Sequence, residues 1–164
     1  MHRPSEIIQL DEGHLVIDGA RLAGHAAAAW IEIDRDEHAR RKRDGIGAIT
    51  ELSALRDLVG YGDVTTRFKL AARVEHVEVS AGRPVTRLQV ASVFANVAPT
   101  LVIVENEECD DMLALNAAAL GIGLAVRLGQ SLAILVPPSP EYGMVDAATL
   151  RFNEEAYRVW LATS

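Results

Sequence analysis

The residues best suited to chemistry fall in two short charged stretches and a scatter of histidines. "VENEECDD", Val104 to Asp111, packs five carboxylates (Glu105, Glu107, Glu108, Asp110 and Asp111) and the chain's only cysteine, Cys109, into eight residues. Such density suits a hard-cation site, an acid/base pair or the charged first turn of a helix. A calcium loop needs glycine at its sixth position and a terminal glutamate, and neither is in place. Acidic groups in a helix's first turn each gain about 0.3–1 kcal/mol against the helix dipole, and Asn106 or Asp110 is positioned to cap free amides. The stretch therefore reads first as a helix start and second as an ion-pairing surface for another copy. Metal or acid/base work by Glu105, Glu107 or Asp110 ranks third. Cys109 has no partner cysteine and lies among carboxylates, an unfavourable setting for a nucleophile.

"HARRKRD" sets four cations in succession, Arg40, Arg41, Lys42 and Arg43. No aromatic side chain is interleaved with them for base stacking, and Asp34, Asp36, Glu37 and Asp44 flank the run. With 23 acidic against 16 basic side chains and a net charge of −7, the whole chain repels a phosphate backbone at long range. No specific nucleic-acid partner is expected, and residues 34–47 read as a long polar loop, either solvated or touching another subunit. The five histidines, His2, His14, His25, His38 and His76, include no pair four apart, so a helix-borne metal pair is absent and no metal is expected. Ser131 in "GQSLA" lacks the second glycine of a nucleophile elbow and sits between two strands. The glycine pairs in "GIGAIT", "GYGDVT" and "GIGLAV" lack the third glycine of a dinucleotide loop, so no cofactor is expected.

The elements that must position these residues come from periodicity. "EIIQLDEGHLVIDGARLAG" has short apolar runs separated by Asp-Glu-Gly and Asp-Gly, the chemistry of hairpin turns. Trp30, Ile31 and Ile33 favour a strand. In "DVTTRFKLAARVEHVEVS" the residues Val64, Thr66, Phe68, Leu70, Ala72 and Val74 share one parity, whereas Val77 and Val79 take the other. That change predicts a β-bulge or a crossing between sheets near Glu75 and His76. Leu88, Ala91, Phe94 and Ala95 have helical spacing, and "TLVIV" reads as a covered strand. "DDMLALNAAALG" reads as a short helix closed by Gly121. "IGLAVRL" and "SLAILV" read as two strands, "ATLRF" as a possible closing strand, and residues 153–164 as a C-terminal extension that is either helix or strand.

The expected fold class is α+β and mostly β: a bent antiparallel sheet, or a partly closed barrel or sandwich, with one amphipathic helix near 84–97 and one short helix near 109–120. At 164 residues the chain is expected to form a single domain, 1–164, with a core that needs no disulfide or metal staple. Hydrophobic residues make up 49%, yet no apolar run reaches the roughly 18–20 residues of a membrane span. No membrane partner is expected, and "MHRPSEIIQL" does not have the form of a secretion signal.

"HLVIDGARL", "ITELSALRDLVGYGDVTTRFKLAARV", "AGRPVTRLQVASVFANV", "LVIVENEECDDMLALNAAALGIGLAV" and "ATLRF", in that order, resemble small tail and baseplate proteins of tailed bacteriophages. The resemblance covers about two-thirds of the chain and consists of hydrophobic and turn patterns rather than catalytic residues. It implies a structural subunit, not an enzyme, that joins its own copies in a ring and neighbouring tail or baseplate proteins through sheet edges and loops. Its location would be the virion tail, after assembly in the host cytoplasm. The candidate assembly contacts are Arg40, Arg41, Lys42 and Arg43 against Glu105, Glu107, Glu108, Asp110 and Asp111 of another copy. "DMLALNAAALGIGLAVRLGQSLAILVPP" also resembles the second half of a LysM module, which implies peptidoglycan binding as the alternative, with a small carboxylate-dependent hydrolase behind it.

Overall fold

The computed structural model describes residues 6–9, 13–60, 68–139 and 146–163. Tyr61 to Asp63 of the Gly-Tyr-Gly-Asp stretch, the expected strand residues Val64 to Arg67 and the turn positions Asp11 and Glu12 lie outside them. Seven strands form one mixed sheet in sequence order: β1 (Glu6–Gln9), β2 (His14–Leu22), β3 (His25–Ile33), β4 (Ala72–Val79), β5 (Thr100–Glu105), β6 (Gly123–Leu128) and β7 (Ser131–Val136). β1 to β4 form an antiparallel meander, β5 and β6 run parallel to β4, and β7 returns antiparallel. The α+β class holds, and the sheet is open. It is mixed rather than antiparallel because β4, β5 and β6 are joined through helices α3 (Pro84–Phe94) and α4 (Asp111–Ala119), the long connections that parallel pairing needs.

The hairpin chemistry at the N-terminal end operates one step later than its dipeptides suggest. Asp18 and Gly19 lie inside β2, where the pairing shifts between Ile17 and Ala20, and Gly19 has φ 65°. The tight turn is made by Ala23 and Gly24, with φ 47° and 82°, the left-handed pair that a two-residue hairpin demands. The expected β-bulge occurs: pairing passes from Trp30↔His76 to Ile31↔Val74, leaving Glu75 as the extra residue of β4.

One face of the sheet carries the core. Leu15, Ile17, Ala29, Ile31, Val74, Val77, Val102, Val104, Leu124 and Val126 pack with Leu88, Ala91 and Phe94 of α3, Leu113 and Ala117 of α4, and Phe152, Ala156 and Tyr157 of α5 (Ala147–Thr163). The helices thus cover the side to which these strand residues point. On the opposite face, Leu101, Ile103 and Ala125 form a separate small cluster. Residues 137–139 run close over this face. A Cβ on Gly123 would come within 2.9 Å of Pro138 and 2.8 Å of Leu101, so glycine is needed for that approach.

Two expectations fail in an instructive way. Residues 34–47 are not a loop: Arg35–Asp44 form α1, with the Asp34 carboxylate accepting from the Glu37 amide and Gly45 closing the end at φ 69°. "ATLRF" is not a strand and residues 153–163 are not an extension, since both belong to α5, begun by Asp146 accepting from the Thr149 amide at 2.7 Å. A further helix, α2 (Leu52–Gly60), packs on α5. No helix among the described residues is long and apolar enough to cross a membrane.

Candidate functional site

The basic run does not form one surface. Arg41 is 1% exposed, and its guanidinium is committed inside the chain. Nε donates to Glu37 Oε1 at 2.8 Å, Nη1 to Glu154 Oε2 at 2.8 Å, and Nη2 to Glu154 Oε1 at 3.0 Å and to the Lys69 carbonyl at 2.8 Å. Phe68 and Tyr157 flank it, with ring centroids 5.2 and 5.4 Å from the guanidinium carbon. Glu154 Oε2 also accepts from the Ile49 amide at 2.8 Å. Arg41 therefore pins α1 to α5 and is withdrawn from the assembly contacts expected of it. Arg40 pairs with Glu37 at 2.7 Å and Asp44 at 3.2 Å, and Arg43 lies 3.7 Å from Asp44. Lys42 is exposed.

Carboxylates at the acidic corner are engaged locally. Glu105 and Glu108 close a reciprocal capping box around the single 3-10 turn Asn106–Glu108, and the Glu105 amide donates to Glu108 Oε2 at 3.0 Å. Arg87 of α3 holds Glu108 at 2.7 Å and donates to the Ile103 carbonyl at 2.9 Å, tying the turn to β5. The Glu105 amide and then Arg87 keep the Glu108 carboxyl below its ordinary range, against the upward push of burial. Asp110 Oδ1 accepts from the Leu113 amide at 2.7 Å and caps α4, while Glu105 lies 3.4 Å from Arg127. The side chains of Glu107 and Asp111 project into solvent. Among the described residues no ion pair joins residues 40–43 to residues 105–111.

The surface that sequence reading missed is apolar. β7 is the last strand of the sheet, and its outer edge pairs with no described strand. The segment "SLAILV" has apolar residues on both parities, a pattern that a strand covered on both faces shares. In the fold Leu132, Ile134 and Leu135 are exposed, Ile134 by 61%. Ile134 lies opposite Ala125 and so extends the cluster of Leu101, Ile103 and Ala125 outward to the edge. α4 packs beside β6 and β7; Met112 and Leu115 on it and Leu120 just past its end are exposed, the first two by 63% and 64%. The segment resembling LysM, Asp111 to Pro138, supplies this helix and both strands of the terminal hairpin. Edge strands in natural proteins are usually blunted by charge, proline or shortness, and β7 carries no charge or proline over six residues. The chain matches no family model, no curated protein and no solved structure.

Proposed function

We propose that the protein is a non-catalytic structural subunit that joins a second copy of itself through β7, and that these pairs join further, through a second contact with other copies or tail proteins, into an assembly of the phage-tail or phage-like class. The observation that carries the reading is the β7 edge, which pairs with no described strand, with its apolar margin of Leu132, Ile134 and Leu135. A second copy is the fitting occupant. Two β7 strands related by a two-fold axis pair antiparallel, satisfy each other's backbone groups and bring no like charges together, because neither strand has any. The tail setting, with neighbouring tail or baseplate proteins as further partners, rests on the sequence resemblance.

Size-exclusion chromatography with light scattering tests the pairing. A dimer or larger species is expected, and Ile134→Lys should convert it to a folded monomer. A wild-type chain that stays monomeric at high micromolar concentration rules the pairing out. Electron microscopy of the assembled material tests the tail reading, for which rings or stacked rings are expected. A closed dimer that never assembles further would leave the β7 contact standing and remove the tail assignment.

A further inference from the structure

The bulge in β4 gathers three metal-binding side chains that are distant in sequence. His14 opens β2, Glu32 lies directly opposite it on β3, and Glu75 is the extra residue of β4. In an unbroken strand Glu75 and His76 would point to opposite faces. The bulge turns both away from the core, between buried Val74 and Val77, and brings Glu75 to the face that carries His14 and Glu32. His14 Nε2 is 3.6 Å from Glu75 Oε1, and one ligand atom from each of the three residues lies within 4.8 Å of the others.

We propose that His14, Glu32 and Glu75 form a binding site for a divalent transition-metal ion of the zinc type, clamping β2, β3 and β4 together. One imidazole and two carboxylates are a donor set for zinc rather than for calcium or magnesium, which take oxygen alone. Two ligands each about 2.1 Å from a tetrahedral zinc lie about 3.4 Å apart, close to the His14–Glu75 separation. Glu32 comes into range through side-chain torsions, since all three residues are only partly buried. Among the described residues these three make up the group, and the fourth position would be taken by water or another donor. Arg73 donates to Glu32 Oε2 at 3.0 Å, so Glu32 would meet the ion through Oε1, with the exposed guanidinium swinging into solvent. The neighbouring His76 is engaged with Glu78 at 3.4 Å and stacks on Trp30 at 4.9 Å, so it orients away as a wall rather than serving as a ligand. Local spacing could not reveal this site, because its residues come from three strands and meet only through their register and one bulge.

Isothermal titration of the chelator-treated full chain with zinc chloride tests the proposal, alongside Glu75→Gln and His14→Gln, with His25→Gln as the control. One zinc per chain is expected, with affinity at least about tenfold weaker in each of the first two variants and unchanged in the control. The ligating imidazole must be unprotonated, so binding should weaken as the solution is acidified. Cobalt supplies an independent readout on the wild-type chain: its visible absorption should report nitrogen-oxygen coordination and change in His14→Gln. Absence of saturable one-to-one binding overturns the site, as does binding that survives both Glu75→Gln and His14→Gln. Should a variant fail to fold, zinc-dependent movement of the His14 imidazole resonance in the wild-type chain decides, and its absence overturns the site.

Discussion

Where α1 meets α5 the chain buries charge, whereas beside β7 and α4 it exposes apolar side chains. In the first region Glu37, Arg41 and Glu154 are almost fully enclosed, yet every guanidinium nitrogen of Arg41 has an acceptor within 3.0 Å. In the second, Met112, Leu115, Ile134 and Leu135 each lie more than half exposed with no described residue to cover them. A buried charge that is fully paired requires nothing from outside. An apolar edge whose backbone groups pair with no described strand does, and this difference separates a region that holds the fold together from one available to join copies.

The largest expected effect comes from breaking the charged region. Arg41→Met leaves Glu154 buried without its cation and Glu37 with Arg40 alone, and should cost about 3–5 kcal/mol of folding stability, measured by equilibrium urea denaturation. Oligomeric state should be unchanged in whatever fraction folds. Acid probes the same cluster. Hydrogen bonding from Arg40, set against burial and aided by Arg41, holds the Glu37 carboxyl at about 2 rather than 4.5. The unfolded chain therefore takes up this proton first. The contribution of Glu37 should be complete above about pH 4.5, fall between 4.5 and 2, and be lost below that, as read from denaturation curves across the range. A stability that stays flat through that window would place the strength of the cluster elsewhere.

Ile134→Lys should give the reverse pattern. Placing an ammonium group at the centre of a paired β7 edge should weaken self-association at least about tenfold, or about 1.4 kcal/mol, by light scattering over a dilution series. Folding of the monomer should change by no more than about 0.5 kcal/mol, because the side chain is exposed there. A variant that instead unfolds the monomer would make Ile134 part of the core and erase the contrast between the regions.

What the sequence conveyed follows the same division. Local signals were legible: the shift of parity at Glu75, the spacing of Leu88, Ala91 and Phe94, and the capping of α4 by Asp110 and Gly121 all appear as read. α1 was hidden although Asp34, Glu37 and Gly45 mark both its ends. Its buried positions, Glu37 and Arg41, are charged residues four apart, and a search for an apolar stripe passes over them. The first turns of α5 were hidden by the alternation of Thr149 and Arg151 with Leu150 and Phe152, which imitates a strand, whereas for residues 153–163 helix was one of the two readings open. Nor does an apolar hexamer such as "SLAILV" state whether it lies in the middle of a sheet or at its edge, because that depends on which strands pair on each side.

The smallest effect tests whether the acidic corner belongs to the fold or to the assembly. Asp110→Ala removes the oxygen that accepts from the Leu113 amide and should cost about 1 kcal/mol, since water replaces part of the lost bond at an exposed helix end. Asp110→Asn keeps an acceptor oxygen and loses only the charge, so as a cap it should cost no more than a few tenths of a kcal/mol. Both should leave self-association nearly unchanged unless the first turn of α4, which carries Met112, frays. If Asp110→Asn instead weakens self-association while leaving folding intact, the charge itself faces another copy. The exposed cations Lys42 and Arg43 would then be its natural counterparts, joining the two regions that the fold of a single chain keeps apart.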